Sequence, residues 1–289
     1  MLKYVNIFGT SFSNGGGLEF HKKSYLKEIY SPLNIPLEKN LFKPAGILQK
    51  KLPGIQVINY AKDGFGNERI YRKIFDIISN EDFKPEEHLF VIEFSDLGRK
   101  EVYSPKDKKH GIINYNFDKK GITENGHSFD YDFGFTHPQS SENLYKITKK
   151  WIDFKNSEYD FQNELQKVYV SIIGIISYLS VMKTNFIISH PSDVITTYTN
   201  HFFKKFYYNI LNIENKNLFI WLRDKNYCLI DETKGKVNDR HFGYGANKII
   251  AATIFNKMIQ MQLIKETPIP LHYLIKDAQE IKTKINETN

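Results

Sequence analysis

Short apolar runs alternate with helical segments along most of the chain. Four runs have the length and the β-branched and aromatic content of buried strands; they are residues 4–8, 55–60, 89–94 and 184–189. Five segments are predicted to be helices, at residues 45–52, 68–79, 158–182, 195–211 and 244–261. Strands that alternate with helices imply right-handed βαβ units and a parallel sheet, so we expect an α/β protein.

Two parts of the chain depart from this alternation. Residues 100–157 are polar and lack a long helical period, so we expect an insertion after the third strand that lies over the active face, with short helices near 143–151. A disordered surface loop is the alternative, and the many aromatic residues argue against it. Residues 218–222 fit a fifth strand or a short helix. We expect a single domain over residues 1–263, followed by a C-terminal tail at 264–289.

Composition and charge exclude several classes of protein. The net charge of the 289 residues is +7, but basic residues are interleaved with acidic ones and no nucleic-acid motif accompanies them. We therefore expect a solvated basic surface and no nucleic-acid partner, although a polyanionic substrate or an acidic glycan is compatible with the charge. Cys228 is the single cysteine, which excludes a disulfide within the chain.

The sequence gives no sign of export, of a membrane span or of a cofactor. Its start lacks the apolar segment of a signal peptide, and no apolar run reaches the ~20 residues of a membrane span, so a soluble cytoplasmic protein is expected. Neither His-x-x-His nor Cys-x-x-Cys occurs, so no metal site is expected. The glycine-rich motifs that bind nucleotide phosphates are also missing, and we expect no cofactor.

A serine, a histidine and an aspartate are the candidate catalytic residues. Ser11 follows the first apolar run and Gly9, at the sheet edge where parallel α/β proteins bind ligands. Serine becomes a useful nucleophile when a histidine takes its proton and a carboxylate orients that histidine. His241 and Asp239 precede a helix that would pack on the first strand, with Asp231 as the reserve carboxylate. The two ends of the chain are therefore predicted to meet at one face of the sheet.

Backbone N–H groups at turns are the predicted stabilisers of an oxyanion. Gly64 follows the second run and precedes a helix, and the N–H of Ser11 is a second donor. As a structural alternative, Gly64 is a turn glycine.

Three motifs resemble the blocks of the SGNH, or GDSL-like, hydrolases. G-T-S-F-S-N-G at residues 9–15 resembles their Gly-Asp-Ser-Leu-Thr-x-Gly block. N-Y-A-K-D-G at 59–64 resembles the block that ends in the oxyanion glycine, and D-R-H at 239–241 resembles the block whose Asp and His activate the serine. The resemblance covers residues 4–261. It implies a flavodoxin-like three-layer α/β/α sandwich, with a central parallel sheet of about five strands, and an esterase activity.

The sequence departs from the family pattern at three places. The spacing between Asp239 and His241 is one residue shorter than in the commonest Asp-x-x-His, although the shorter form also occurs in the family. Thr10 stands where the family has Asp, and E-F-S-D at 93–96 stands where it has Gly-x-Asn-Asp. Ser95 therefore falls at the position of the family's Asn, an oxyanion donor. Ser95, Asn67 and Arg99 are the candidates for this donor, and an oxyanion hole with fewer donors is the alternative.

Four residues, among them Glu93 and His190, allow two interpretations each. Glu93 lies in a buried strand, where a carboxylate needs a partner. With Arg99 and Glu101 it forms either a structural ion-pair network or part of a substrate site. His190, at the carboxyl end of the fourth run, either contacts substrate or is a loop histidine.

The leading hypothesis is a serine esterase that acts on a small-molecule or glycan ester. An O-acetyl group on a carbohydrate is the substrate suggested by family analogy. Transfer of an acyl group to a glycan hydroxyl is a related alternative. A non-catalytic ligand-binding protein that keeps the fold is the alternative from another class, and Thr10 and the missing Asn favour it.

Overall fold

The computed structural model describes residues 1–10, 13, 43–62, 66–95, 99–104, 109–115, 129–130, 161–190, 205–214, 216–225, 242–276 and 278–279. The strands are β1 (Tyr4–Phe8), β2 (Gln56–Asn59), β3 (His88–Glu93), β4 (Arg99–Ser104), β5 (Lys109–Tyr115), β6 (Phe129–Asp130), β7 (Asn185–Ser189), β8 (Asn212–Ile213) and β9 (Lys216–Asn217). The α-helices are α1 (Pro44–Lys51), α2 (Asn67–Ile78), α3 (Phe161–Val181), α4 (Leu218–Asp224) and α5 (Tyr244–Gln260). Two short 3₁₀ helices are Pro85–Glu87 and Tyr207–Asn209.

The central sheet is parallel, with the strand order β2-β1-β3-β7. This confirms the predicted α/β class, and the order is that of a flavodoxin-like sheet. The four strands coincide with the four predicted runs to within one residue at each end. Beside β7, Ile210 forms a parallel bridge with Ile188, so over the described residues a single bridge occupies the place of a fifth strand.

Helices cover both faces of the sheet and give the three predicted layers. Side chains alternate along each strand, so Val5 and Ile7 face one layer while Phe8 faces the other. The first core joins the sheet to α1, α4 and α5, through residues such as Leu48, Trp221, Ile249 and Ile250. The second core joins it to α2 and α3, through residues such as Ile70, Ile74, Ile172 and Ile176.

A histidine and an asparagine are paired in the amino-terminal half of the sheet. Asn6 is buried within β1, and its Nδ2 lies 3.1 Å from Nδ1 of His88 at the start of β3. The His88 ring also stacks on Tyr4 and contacts Phe83, with centroid distances of 4.7 and 4.8 Å. Burial lowers the pKa of His88, with a smaller opposing effect from the Glu87 carboxylate. The neutral imidazole is therefore favoured in the folded protein.

Antiparallel strands lie within the predicted insertion. β4, β5 and β6 form a second sheet in that order. The sequence did not predict these strands, because apolar and polar residues do not alternate strictly in R-K-E-V-Y-S or K-H-G-I-I-N-Y. The short helices predicted near 143–151 lie outside the described residues.

Two other predictions are settled by the structure. The ambiguous segment at 218–222 is the helix α4, whose N-cap residue Asn217 accepts a hydrogen bond from the N–H of Phe219. The helix predicted over 195–211 is wrong in its described part, where residues 205–211 contain a 3₁₀ turn and the bridge of Ile210. Aromatic content alone misled the prediction there. Over the described residues, no helix combines the length and apolarity needed to span a bilayer.

The beginning of the predicted tail packs on the first core. Partly buried apolar side chains attach it there; they are Ile264, Ile269, Leu271, Leu274 and Ile275. Asn256 of α5 makes two hydrogen bonds to the backbone of Ile269, at 2.7 and 2.8 Å. Farther along, Ala278 is buried against Gly245 in the first turn of α5.

Candidate active site

Buried polar side chains collect where three strands of the parallel sheet end. Thr10 follows β1, Ser95 follows β3 and His190 follows β7, and each is almost completely buried. The carboxyl ends of parallel strands lie at one edge of the sheet, which is where α/β proteins bind ligands. This edge is therefore the candidate active site.

The carboxylate of Glu93 accepts hydrogen bonds from Thr10 and Ser13, which lie on either side of Ser11 in the chain. Its Oε2 accepts hydrogen bonds from the N–H of Thr10 at 3.3 Å and of Ser13 at 2.7 Å. Its Oε1 accepts a hydrogen bond from the Thr10 hydroxyl. Glu93 is 1% exposed, so these donors compensate for the loss of water around a buried carboxylate. The sequence marked Glu93 as a buried acid but did not indicate its partners, which lie 80 and more residues earlier in the chain.

A glycine makes room for this carboxylate. A Cβ atom on Gly9 would lie 2.6 Å from Oε2 of Glu93 and 2.9 Å from the Cβ of Ser13. Both distances are shorter than real Cβ atoms allow. Gly9 is therefore required by the close approach of Glu93 to the backbone.

The segment that follows β2 is hydrogen-bonded to the segment that follows β1. The N–H of Tyr60 donates to the carbonyl of Ile7 at 2.7 Å, and the N–H of Lys62 donates to the carbonyl of Gly9 at 3.1 Å. Lys62 precedes Gly64 by two residues, and Gly9 precedes Ser11 by two residues. The residues two positions before Ser11 and Gly64, the predicted oxyanion donors, are therefore hydrogen-bonded to each other.

The side chain of Tyr60 packs at the same end of β2. Its ring stacks on Phe8 with 5.3 Å between the centroids. Partial burial raises the pKa of the Tyr60 phenol, so the hydroxyl stays protonated at neutral pH.

Asn67, the first residue of α2, is bound to Ser95 by two hydrogen bonds. The N–H of Ser95 donates to Oδ1 of Asn67 at 2.7 Å, and Nδ2 of Asn67 donates to the Ser95 carbonyl at 3.0 Å. Both residues are buried. This pair joins the start of α2 to the end of β3 and fixes the backbone at Ser95.

Two buried hydroxyls at this edge have no hydrogen-bond partner among the described residues. They are the Oγ atoms of Ser95 and Ser189. Ser189 is paired in register with Glu93, one position before the strand ends. An unsatisfied buried hydroxyl is unfavourable, and such groups call for an explanation, which a ligand in the site would supply.

The structure describes residues close to the predicted catalytic residues in the chain, but not the catalytic residues themselves. Ser11, Gly64, Asp239, His241 and the reserve Asp231 all lie outside the described residues. Their catalytic and oxyanion roles remain predictions.

Phe242, which follows His241 in the chain, is firmly anchored. It is buried in the first core and stacks on Phe219, with 5.6 Å between the ring centroids. The residue after the predicted base is therefore held by apolar packing just before α5 begins.

The two predicted substrate contacts are only partly described. His190 is 3% exposed and directly follows β7 at the carboxyl edge. Arg99 is the first residue of β4, and the structure describes its backbone but not its side chain. In the part of the chain that the structure describes, no three His, Cys, Asp or Glu residues form a group that could bind a metal.

Comparisons with known proteins give one similar structure. No protein-family model matches the sequence, and no curated protein matches it significantly. The chain is similar to the crystal structure of a member of the lipolytic protein G-D-S-L family from Veillonella parvula. The two share 11% identity and a TM-score of 0.41, over 88% of this chain and 96% of that chain.

Proposed function

We propose that the protein is a serine esterase of the SGNH type, with Ser11 as nucleophile, His241 as base and Asp239 as the orienting carboxylate. The observation that carries the proposal is the binding of Thr10 and Ser13 by Glu93. These hydrogen bonds hold both sides of the Ser11 turn at the carboxyl edge of a parallel sheet.

The course of α5 supports the approach of His241 to this edge. Near its end, Nζ of Lys257 donates to the Tyr208 carbonyl at 3.0 Å. The adjacent Asn209 donates to the carbonyl of Phe186, near the start of β7, at 2.8 Å. The end of α5 thus lies towards the amino edge of the sheet. A helix of 17 residues is about 25 Å long, so its start, next to His241, is expected near the opposite edge.

The proposed reaction has two acyl-transfer steps. His241 takes the proton of the Ser11 hydroxyl while Oγ attacks the acyl carbon, and Asp239 stabilises the imidazolium that forms. The oxyanion is bound by the N–H groups of Ser11 and Gly64 and by the hydroxyl of Ser95. Collapse of this intermediate releases the alcohol, which takes the proton from His241. Water, deprotonated by His241, then attacks the acyl-enzyme, which frees the acid and restores Ser11.

We propose that the substrate carries an O-acetyl group on a carbohydrate and that Arg99 and His190 bind this carbohydrate. A sugar supplies hydroxyls that both side chains can bind. Acetate release from acetylated oligosaccharides, compared with release from simple phenyl acetates, tests this assignment. Repeating the assay with and without an unacetylated glycan acceptor distinguishes hydrolysis from acyl transfer.

A fluorophosphonate probe tests the nucleophile directly. The wild-type protein should form an adduct that mass spectrometry locates on Ser11, and Ser11→Ala should form none and lose hydrolysis of 4-nitrophenyl acetate. Ser79→Ala is the matched control, because Ser79 is exposed at the far end of α2. A folded wild-type protein that neither reacts nor hydrolyses esters would overturn the proposal and favour a ligand-binding protein.

A further inference from the structure

We propose that Glu93 is the positioning residue of the nucleophile, which holds the backbone on both sides of Ser11 in its reactive geometry. The inference rests on the proposed function. It assigns to Glu93 a role different from the ion-pair network or substrate contact that the sequence suggested.

The strand that carries Glu93 is held on both sides. β3 lies between β1 and β7 and is hydrogen-bonded to both. Glu93 is paired with Ser189, and the preceding residue, Ile92, is paired with Phe8 of β1. The Glu93 side chain thus binds Thr10 and Ser13 from a strand that is hydrogen-bonded on both sides.

The backbone hydrogen bonds to Glu93 all run in one direction, from N–H groups to the carboxylate. The N–H groups of Thr10 and Ser13 can only donate, and both donate to the same oxygen, Oε2. Thr10 and Ser13 lie on either side of Ser11 in the chain, so Glu93 binds the backbone before and after the proposed nucleophile. Catalysis depends on such geometry, because a misplacement of about 1 Å costs about 100-fold in rate.

Gly9 and the Glu93 carboxylate pack closely together. The space where a Cβ of residue 9 would lie is filled by Oε2 and the Cβ of Glu93, at 2.6 and 2.9 Å. The strand end, the carboxylate and the turn thus form one packed unit. Thr10 completes it with a hydroxyl that donates to Oε1.

Thr10 and Glu93 both differ from the SGNH pattern, and the two differences agree with this role. That pattern has Asp at the position of Thr10 and Gly at the position of Glu93. In this chain the carboxylate comes from the strand, and the turn supplies donors to it. Thr10 favours a non-catalytic protein when the sequence alone is considered. Its hydrogen bonds to Glu93 are compatible with a fixed backbone next to the nucleophile.

Variants at Thr10 give the mildest test. Thr10→Val removes the hydroxyl that binds Oε1 at nearly constant volume, whereas Thr10→Ser retains it. We expect Thr10→Val to lower kcat and the rate of fluorophosphonate labelling about tenfold with KM unchanged, and Thr10→Ser to restore both.

Variants at Glu93 give the larger effect. In Glu93→Gln the amide oxygen can replace Oε2 and accept both N–H groups, while the amide NH₂ can donate to the Thr10 hydroxyl. Glu93→Ala removes the acceptor to which the N–H groups of Thr10 and Ser13 donate. We expect Glu93→Gln to retain most of kcat and Glu93→Ala to lose about 100-fold.

Asn256→Ala is the matched control for loss of stability. It removes two partly buried side chain–backbone hydrogen bonds, to Ile269, near the far end of α5. All variants are assayed well below their melting temperatures, and Asn256→Ala should keep the wild-type kcat. If Glu93→Ala fails to fold, the two Thr10 variants carry the test.

The outcomes separate the two proposals. A wild-type protein that does not react at Ser11 overturns the proposed function and the role of Glu93 with it. A reactive wild-type protein with unchanged kcat in Thr10→Val and Glu93→Ala overturns the positioning role alone. The positioning role is also overturned if Asn256→Ala lowers kcat as much as these variants do when the loss of stability is equal.

Discussion

The side-chain amide of Asn67 and the backbone of Ser95 satisfy each other's hydrogen bonds inside the protein. Asn67→Ala would leave the N–H and the carbonyl of Ser95 buried without this partner. Each unsatisfied group costs about 1–3 kcal/mol, so we expect the free energy of unfolding to fall by about 2–4 kcal/mol. Urea denaturation measures this change.

The exposed ion pair between Lys73 and Asp76, on the same helix, is the control. Lys73→Ala should change the free energy of unfolding by less than about 1 kcal/mol, because exposed ion pairs contribute little. Equal effects of Asn67→Ala and Lys73→Ala would show that the Asn67–Ser95 pair has no special role in stability.

The close approach of Glu93 to Gly9 predicts opposite effects for two glycine substitutions. Gly9→Ala would force its Cβ against Oε2 of Glu93, and we expect it to destabilise the protein by about 1–3 kcal/mol and to lower esterase activity. Gly174→Ala, in α3, meets no atom within 4 Å and should stabilise the protein by about 0.5–1 kcal/mol. Thermal unfolding of both variants tests the pair. A neutral Gly9→Ala would contradict the packing described for this edge.

The lowered pKa of His88 predicts a loss of stability in mild acid. The unfolded chain takes up a proton near the ordinary pKa of 6.5, whereas the folded protein resists protonation because the ring is partly buried. This contribution to stability is fully present above pH 6.5 and declines as the pH falls through the folded pKa. We expect His88→Gln to remove this part of the pH dependence.

The exposed His272 supplies the control for His88. Denaturant titrations between about pH 7.5 and 5 compare the slopes of stability against pH in the wild type, His88→Gln and His272→Gln. His272→Gln should keep the wild-type slope. An unchanged slope in His88→Gln would exclude His88 as the titrating group.

The contact between α5 and the C-terminal segment predicts an effect of Gly245→Ala. Its Cβ would lie 2.9 Å from the Cβ and 3.1 Å from the Cα of Ala278, so one of the two segments must move. We expect faster hydrogen exchange in residues 271–276, measured by mass spectrometry. Exchange within the central sheet should stay unchanged, and unchanged exchange in 271–276 would contradict a close contact.

The sequence predicted the sheet well because most residues of β1, β3 and β7 are buried. The runs that became β1 and β7 are almost continuously apolar, a pattern that local composition reveals. The pairing of β4 with β5 was missed because it depends on contacts between strands of mixed polarity. Glu93 shows the same limit at the site. Its burial followed from its neighbours in β3, whereas its partners are determined by the register of β1 against β3.

The unsatisfied hydroxyl of Ser95 gives a test that separates catalysis from stability. Ser95 is 0% exposed, and its Oγ has no partner among the described residues, so Ser95→Ala should leave the free energy of unfolding unchanged or raise it. If this hydroxyl binds the oxyanion, the same variant should lower kcat about 100-fold with little change in KM. Thr184→Val is the matched control, because it removes another buried hydroxyl that has no partner among the described residues, just before the start of β7 at the opposite edge. Thr184→Val should keep full activity, and a fully active Ser95→Ala would exclude Ser95 as an oxyanion donor.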